Sequence, residues 1–527
     1  MSFLHGIEFA VGDKLSPVAV RNASIIGLVG TAPEGPINTP TLVISRTQGV
    51  ELFGSDLSCT IPKALKAIFD QGKDVGYVIV VNVGTEVNPL VRVTNETVSF
   101  TDDRATLAHQ AILIGSTLAR AGATITGTGV GTLHTLTDAA KSWTPDEHIG
   151  KHLYDVDGTY YLVTDNDATT LTVAGTPRSG AYQLMSSTIY WENVDYVVDY
   201  NEGFITRVAG HIPEDTITMQ MYDYYTGGQP VAVSDVIGGV DPVTEQREGV
   251  EALLDAEAVT GYKPKLLIAP EYSSNKGVMD ALLAKAALLK GRAIGDIAEG
   301  STPTQALTWA DQFDNINMTA AYPLYKFLDE TDGTTLRTAS FSPAIAGVWS
   351  RVINQYGYWY SPSNHEVMGV EEMERAIDYI YDSAQCTASL LNEKGITTCI
   401  KRDRKFYIWG NLSVTTDEDY CFAAVQMTRQ VHQEALIATI IKVLDRPINR
   451  AWFEDVQDTV QAFLNGEVGK GAIIYGSFQF LAADNPPEEI RLGHVTARWD
   501  WTPAYPAQKI TIKETLNIEE LAQLFAA

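Results

Sequence analysis

This chain of 527 residues is poor in cysteine, in basic residues and in long apolar runs, and each shortage argues against a class of function. Its four cysteines, Cys59, Cys386, Cys399 and Cys421, form no C-x-x-C pair, so neither a zinc ribbon nor a disulfide framework is expected. Free thiols in a protein made in a reducing cytoplasm are the expectation. No stretch of about 18 consecutive apolar residues occurs, so no membrane-spanning helix is expected. The opening residues Met1-Ser2-Phe3-Leu4-His5-Gly6 lack a basic segment followed by an apolar one, so no signal peptide is expected either. Lysine and arginine number 38 against 65 aspartates and glutamates, a formal charge of −27. The imbalance lies in the first 400 residues, at 25 against 48, and nearly vanishes from Lys401 onward, at 13 against 17. Binding nucleic acid or an anionic membrane needs clustered cations, so neither partner is expected, and a well-hydrated acidic surface is. Of nine histidines only His148 and His152 stand close, four apart with Gly150 between them. Without an H-E-x-x-H pattern they read as solvated loop histidines, and no metal or cofactor is expected.

What the chain does have is an ordinary globular composition, 45% hydrophobic and 20% charged, over a length that exceeds a single core. Residues 24–30, 42–45, 77–83, 265–270, 292–297 and 317–322 read as buried strands. Helices are expected among them: from Thr60 with Pro62 in its first turn, from Thr244 through Leu253 and Leu254, over residues 275–290, and near 305–313. Such alternation implies a parallel or mixed doubly wound sheet. From about Glu86 to Tyr200 the composition turns to Thr, Gly and Asp, with short strands at 160–163 and 170–173 and turn pairs Asp157-Gly158 and Asn166-Asp167. A small inserted all-β domain is expected there, with the α/β pattern resuming at Thr216. Toward the end come a helix over 416–444 led by Thr416-Asp417-Glu418-Asp419, and an amphipathic helix over 450–464 stopped by Asn465-Gly466. Strands over 472–482 and 489–501 follow, the second with Val495, Ala497, Trp499 and Trp501 on one face. A lone strand stands near each end, Gly6-Ile7-Glu8-Phe9-Ala10-Val11 and Lys509-Ile510-Thr511-Ile512-Lys513, set off by Gly12 and Pro17 and by Pro503 and Pro506; a last helix covers 518–525.

The densest signal lies in residues 341–409. Ser342-Pro343 reads as cap and first-turn residue of a helix carrying Ala344, Ile345, Ala346, Gly347, Val348, Arg351, Val352 and Ile353. Gly357-Tyr358-Trp359-Tyr360-Ser361-Pro362-Ser363-Asn364 must then be a shaped, largely extended loop. Gly369-Val370, a second helix over about 371–391, Leu391-Asn392-Glu393-Lys394-Gly395-Ile396 and a strand containing Trp409-Gly410-Asn411 complete the stretch. As a set in this order, these residues resemble the core of the tail sheath proteins of contractile bacteriophages and R-type bacteriocins. So do Ile26-Gly27-Leu28-Val29-Gly30-Thr31-Ala32, Gly35-Pro36 and Phe53-Gly54 near the start.

The resemblance implies an α/β multidomain protein, a sheath core with a subtilisin-like middle domain and an α+β C-terminal domain with terminal strand arms; the inserted all-β domain, read from composition, lies outside it. On that reading the arms span 1–20 and 503–527, the first part of the core 21–85, the insert 86–200, the middle domain 201–400 and the C-terminal domain 401–502. It further implies a structural, non-enzymatic homo-oligomer, built as stacked hexameric rings in a helical tube around a tail tube protein and bounded by baseplate and tail terminator proteins. Such a subunit is made in the bacterial host cytoplasm and resides in the virion tail. Gly6 to Val11 and Lys509 to Lys513 would pair with neighbouring subunits, and a metastable extended sheath would shorten to drive the tube through the host envelope. Met427-Thr428-Arg429 departs from the paired arginines that many relatives carry after the Trp409 strand, which weakens the case for that intersubunit ion pair.

The rival reading is a hydrolase built on the middle domain. A subtilase needs a nucleophilic serine, a histidine base and an orienting aspartate. Residues 201–400 hold only His211 and His365, neither in an H-G-T-H context, and no G-T-S-M-A motif. Ser273-Ser274-Asn275-Lys276 contains S-x-x-K, but a serine just after a strand reads as a helix cap. Gly27 to Gly30 and Gly466 to Gly471 fail both phosphate-loop patterns and read as a strand end and a turn. Asp155, Asp157, Asp165 and Asp167 lack the acidic residue that closes a calcium loop and read as hairpin turns. Tyr356, Tyr358, Trp359 and Tyr360 read as core and interface packing.

Overall fold

The computed structural model describes residues 23–85, 90–121, 125–156, 159–185, 188–212, 218–225, 230–330 and 332–518. The arm strand expected at Gly6 to Val11, the Asp157-Gly158 turn and all but the first residue of the last helix lie outside them. The chain forms two compact units, one from Met1–Gly84 with Ala232–Ala527 and one from Thr85–Val231.

The first unit is built on a nine-stranded mixed sheet in the order Thr41–Val43, Val78–Asn82, Ile26–Gly30, Leu266–Ile268, Arg292–Asp296, Met318–Ala321, Ile396–Arg402, Lys405–Trp409, Glu366–Val367. The central strands, from Val78–Asn82 to Ile396–Arg402, run parallel, and the outer pairings are antiparallel. Five of the parallel strands are buried at every residue, as befits a sheet covered on both faces. The Arg292–Asp296 strand shows the cover directly. Its Arg292 and Asp296 meet the helix Ser342–Tyr356 on one face, while a Cβ on Gly295 would meet Met279 of Lys276–Leu289 and Trp309 of Pro303–Ala310 on the other.

Several expected elements come out differently, some of them because a short polar side chain or a strand partner intervenes. The helix expected from Thr244 is a hairpin, Gly239–Val240 with Arg247–Glu248, turned by Asp241 accepting from the N–H groups of Val243 and Thr244. Leu253 falls in the tight 3-10 segment Gly249–Asp255. Within 371–391, Glu372–Met373 pairs with Tyr325–Leu328, and Asp378 and Ser383 accept from the backbone of Thr387 and Gln385, so the helix is only Thr387–Glu393. The acidic run at Thr416 is a turn in which Asp417 accepts from Asp419 and Tyr420; the helix is Ala423–Ile440. The next helix does not stop at Asn465-Gly466, nor is Gly466 to Gly471 a turn: it runs over Arg450–Lys470 and ends at Gly471 in the left-handed region. Residues 489–501 begin with the short helix Pro487–Arg491, and only Arg498–Pro503 pairs with Ile473–Gln479. There Ala497, Trp499 and Trp501 do share one side, packed on Val460 and Leu464. Lys509, Ile510, Thr511, Ile512 and Lys513 form no strand; the segment is exposed and irregular, because no described strand offers it a ladder.

The second unit is all β. Six strands close a barrel in the order Tyr160–Asn166, Thr170–Val173, Thr135–Thr137, Ile125–Thr132, Gly180–Met185, His152–Tyr154, filled by Leu136, Leu153, Val163, Leu171 and Leu184. A four-stranded and a three-stranded sheet share a separate core around Ile112, Tyr196, Ile205 and Tyr222. The boundary expected at Tyr200 moves, because Thr218–Tyr225 pairs antiparallel with Leu90–Val98 and so belongs to the insert, not to the α/β layer. His148 is not a solvated loop histidine: it is fully buried, donating its backbone N–H to the Asn166 side-chain oxygen and packing edge-on against Trp143.

Candidate functional site

The residues of the 341–409 motif converge on one strand end. The helix Ser342–Tyr356 starts on Asp296: Ser342 donates its N–H (2.7 Å) and its hydroxyl (2.5 Å) to the two carboxylate oxygens. Ser273 donates to the same carboxylate at 3.3 Å and accepts from the Asp296 N–H at 2.9 Å. Neither serine is therefore the cap expected of it. Phe341 and Asn275 hold the N-cap positions, and both hydroxyls serve a buried carboxylate that needs donors more than an exposed helix end does. A negative charge at a helix N-terminus is well placed. Burial nonetheless raises the Asp296 pKa to about 6, against the lowering pull of Ser342 and Ser273.

At the other end of the same strand sits Arg292, also fully buried, its guanidinium 5.3 Å from the Trp349 ring. It donates to the carbonyls of Ile316, Met318 and Ala423 and to the hydroxyls of Thr319 and Ser413, at 2.9–3.3 Å. Burial lowers its pKa to about 9. Nearby, Lys265 donates to the Leu289 carbonyl and to Glu434, each at 2.7 Å. Both cations reach into the segment after Trp409 and fasten the helix Ala423–Ile440 to the sheet.

The remaining motif residues close gaps between distant segments. A Cβ on Gly347 would lie 2.7 Å from the Ile68 carbonyl, so the two helices touch there. Ser350 accepts from the Gly76 N–H and donates to the Ser24 carbonyl, and Arg351 donates to the carbonyls of Gln71 and Glu366. Gly357, at φ 116°, takes the Trp359 ring against its backbone. Ser361 accepts from the Ser363 N–H, Ser363 accepts from Gly410, the Pro362 carbonyl accepts from His365, and Asn364 donates to the Ile408 carbonyl at 2.7 Å. Gly395 (φ 72°) and Gly410 (φ 138°) press on the backbone of Ser413 and Thr397. The Asn392 amide donates to the carbonyls of Ile396 and Trp409 at 2.9 Å and accepts from the Trp409 indole. Pro343 lies buried in the first turn of its helix.

Of the aromatic loop, Tyr358 is core while Tyr356 and Tyr360 stay exposed. The Tyr358 hydroxyl donates to buried Glu467 and lies 3.0 Å from His432 Nε2, and Lys470 reaches the other Glu467 oxygen at 2.7 Å. Burial pushes the Glu467 carboxyl up, but donors from His432, Lys470 and Tyr358 outweigh it and hold the pKa at about 2. Sequence reasoning missed Asp296, Arg292, Lys265, Glu434, His432 and Glu467. The available signal was a charged residue inside an apolar strand, as in Arg292-Ala293-Ile294-Gly295-Asp296. Met427 is buried, Thr428 bonds back to the Ala424 carbonyl, and Arg429 lies over the Tyr420 ring.

Nothing in this arrangement resembles a hydrolytic centre: the partners of Ser273 and Ser342 are Asp296, with no histidine among them. Among the described residues no three His, Cys, Asp or Glu side chains converge as for a metal, and no helix is long and apolar enough to cross a membrane.

The family model for the phage tail sheath protein central domain matches residues 245–414, which include Asp296, Arg292 and the whole 341–409 stretch. The tail sheath protein of Burkholderia phage BcepMu is 31% identical over 540 aligned residues, covering 99% of this chain and 98% of that protein. That of Escherichia phage P2 is 28% identical over 294 residues, 55% of this chain and 73% of that protein. Among solved structures, the helical sheath of the anti-feeding prophage in its contracted state shares the fold, with a TM-score of 0.52 at 14% identity over 98% of this chain and 100% of that one. A relative matched along nearly its whole length, and a motif most of whose residues brace one core, lead to one conclusion: the chain belongs to the phage tail sheath protein family.

Proposed function

We propose that the protein is the structural subunit of a contractile tail sheath, stacking as hexameric rings around a tail tube and shortening to drive the tube through a host envelope. The observation that carries this reading is the segment after Arg498–Pro503. Residues 504–518 leave the body with no strand partner among the described residues, and Tyr505 lies against Phe422 and Gln508 on Asn411. Within them Ile510, Ile512 and Leu516 are 80%, 87% and 83% exposed. Exposed apolar residues at alternate positions suit addition to the sheet edge of a neighbouring subunit, where backbone pairing gives a strong and directional link. Residues 503–527, with Lys509 to Lys513 at their centre, are the C-terminal arm, and residues 1–20, with Gly6 to Val11, its N-terminal counterpart. Residues 401–502 are the C-terminal sheath domain. The contracted helical sheath and the six-fold symmetrised baseplate of the anti-feeding prophage, which share the fold, support ring packing and a baseplate partner. A parallel sheet with helices on both faces supports a subtilisin-like middle domain, here without catalysis. Contraction needs only an interface with two packings, its energy stored at assembly.

Negative-stain microscopy of the purified full chain tests the proposal: tubes or rings are expected, and a compact low-order oligomer overturns it. Truncation after Ala507, and Ile510→Pro, which deletes one ladder donor, should leave folded monomers that no longer polymerise. Normal tubes from both variants would remove the arm from the account.

A further inference from the structure

The inserted unit holds a cluster of polar groups that its own fold does not pair. Arg120 stands on Leu118–Ala121, a strand held between Ile189–Tyr190 and Thr218–Tyr225. Its side chain reaches the outer face of the barrel, where the guanidinium carbon lies 4.7 Å from the centre of the Tyr154 ring. Arg120 is 3% exposed, yet neither its Nε nor its Nη1 has a hydrogen-bond partner among the described residues. The Tyr154 hydroxyl and His152 Nδ1 are buried and unpaired as well. His152 and Tyr154 alternate along one strand and so share a face, with Leu162 and Tyr160 opposite them in register. Leu153, between them, turns into the barrel core. The Tyr160 ring lies 5.7 Å from both Tyr154 and His152 and is 61% exposed, so the cluster lies just beneath the surface beside an aromatic wall.

An unpaired buried donor is costly and a charged one more so, and the Tyr154 ring face offsets only part of that cost. Among the described residues the charged and polar groups that act on Arg120 are Tyr154 and Tyr160, with no carboxylate among them, in a chain that carries 65 aspartates and glutamates. A guanidinium, a phenol and an imidazole N–H are the donor set that holds a carboxylate or a phosphate. A bare ion needs no apolar wall, whereas the C–H face of a sugar packs well on an exposed tyrosine ring. The geometry points to a binding site for an acidic sugar, its carboxylate or phosphate on Arg120, Tyr154 and His152 and its ring against Tyr160.

Ligand-observed NMR on the full chain tests this with glucuronate, glucose 6-phosphate, glucose, inorganic phosphate and a glutamate tripeptide. The two acidic sugars are expected to bind at least about ten-fold more tightly than glucose, and Arg120→Gln and Tyr154→Phe each to weaken them about ten-fold or more. Tyr160→Ala should weaken them about three-fold. Inorganic phosphate binding as well as the sugars with no effect of Tyr160→Ala, the tripeptide binding more tightly than either sugar, or no binding at all would each overturn the assignment. Arg120→Met separates a ligand site from a structural one: it should melt no lower than wild type without ligand, since it removes an uncompensated buried charge, and a clearly lower melting point overturns the proposal. Tyr154→Phe keeps the binding test available should the Arg120 variants fail to fold.

Discussion

The two units bury charge in opposite ways. In the first, Arg292, Asp296, Lys265 and Glu434 are almost fully enclosed, and most of their charged atoms are met by groups from remote segments: Ser413 and Ala423 for Arg292, Ser342 for Asp296, Glu434 for Lys265, leaving Arg292 Nε without a hydrogen bond. In the insert, Arg120 is enclosed to a similar degree, and neither its Nε nor its Nη1 has a partner among the described residues. A buried charge with its partners in place fastens segments together in one arrangement, because any other arrangement leaves it stranded. One without partners waits for a group from outside. Burial alone does not tell the two apart, and the count of partners does.

The sharpest way to break the comparison is to make the same change on both sides of it. Gly395 in the core and Gly115 in the insert have nearly the same backbone, φ 72° and 76°, but a Cβ on Gly395 would lie 2.3 Å from the Ser413 carbonyl while one on Gly115 meets nothing. Gly395→Ala should lose about 3–5 kcal/mol in urea unfolding and Gly115→Ala only about 1 kcal/mol. Equal losses would mean the core is not the tighter of the two.

Asp296 sharpens the comparison through pH. Its pKa is raised from 3.8 to about 6 by burial, so the folded state keeps a proton that the unfolded chain releases. Stability is then highest below the unfolded value and falls by about 3 kcal/mol as pH rises between the two, levelling above the folded one. Urea midpoints across that range should show the fall in the first unit, and Asp296→Asn should remove it. Glu467, held at about 2, acts in the other sense: its contribution is present above 4.5 and is lost as pH falls toward the folded value.

Replacing Thr85–Val231 by a short Gly/Ser bridge asks whether the two cores are independent. The remaining unit should unfold within about 1 kcal/mol of its original midpoint; aggregation at normal expression would show that they are not. The smallest effect is expected at Gly466, which sits inside a helix with open space where its Cβ would be. Gly466→Ala should gain about 0.5–1 kcal/mol, read as a higher urea midpoint.

Gly466 also shows where reading stops at the sequence. Asn465-Gly466 is a valid helix stop on local grounds, yet the helix continues because Glu467, one residue on, is held by Tyr358, His432 and Lys470. Thr218–Tyr225 was legible as a strand but not as a strand of the insert, since its sheet is decided by Leu90–Val98, more than a hundred residues earlier. Ser342 was legible as a helix start, while the destination of its hydroxyl depended on a carboxylate 46 residues upstream.

By itself the sequence determined the family, the buried parallel strands, the all-β insert and the glycine-braced motif of residues 341–409, because apolar runs, turn chemistry and motif order are properties of neighbouring residues. Which polar groups meet was decided only by the tertiary structure. Asp296, Arg292 and Glu467 find donors and acceptors on segments far away in the chain, while the Nε and Nη1 of Arg120 find none among the described residues. A hydrogen bond requires two groups within about 3 Å, and nothing in the order of residues states which pairs the fold will bring that close.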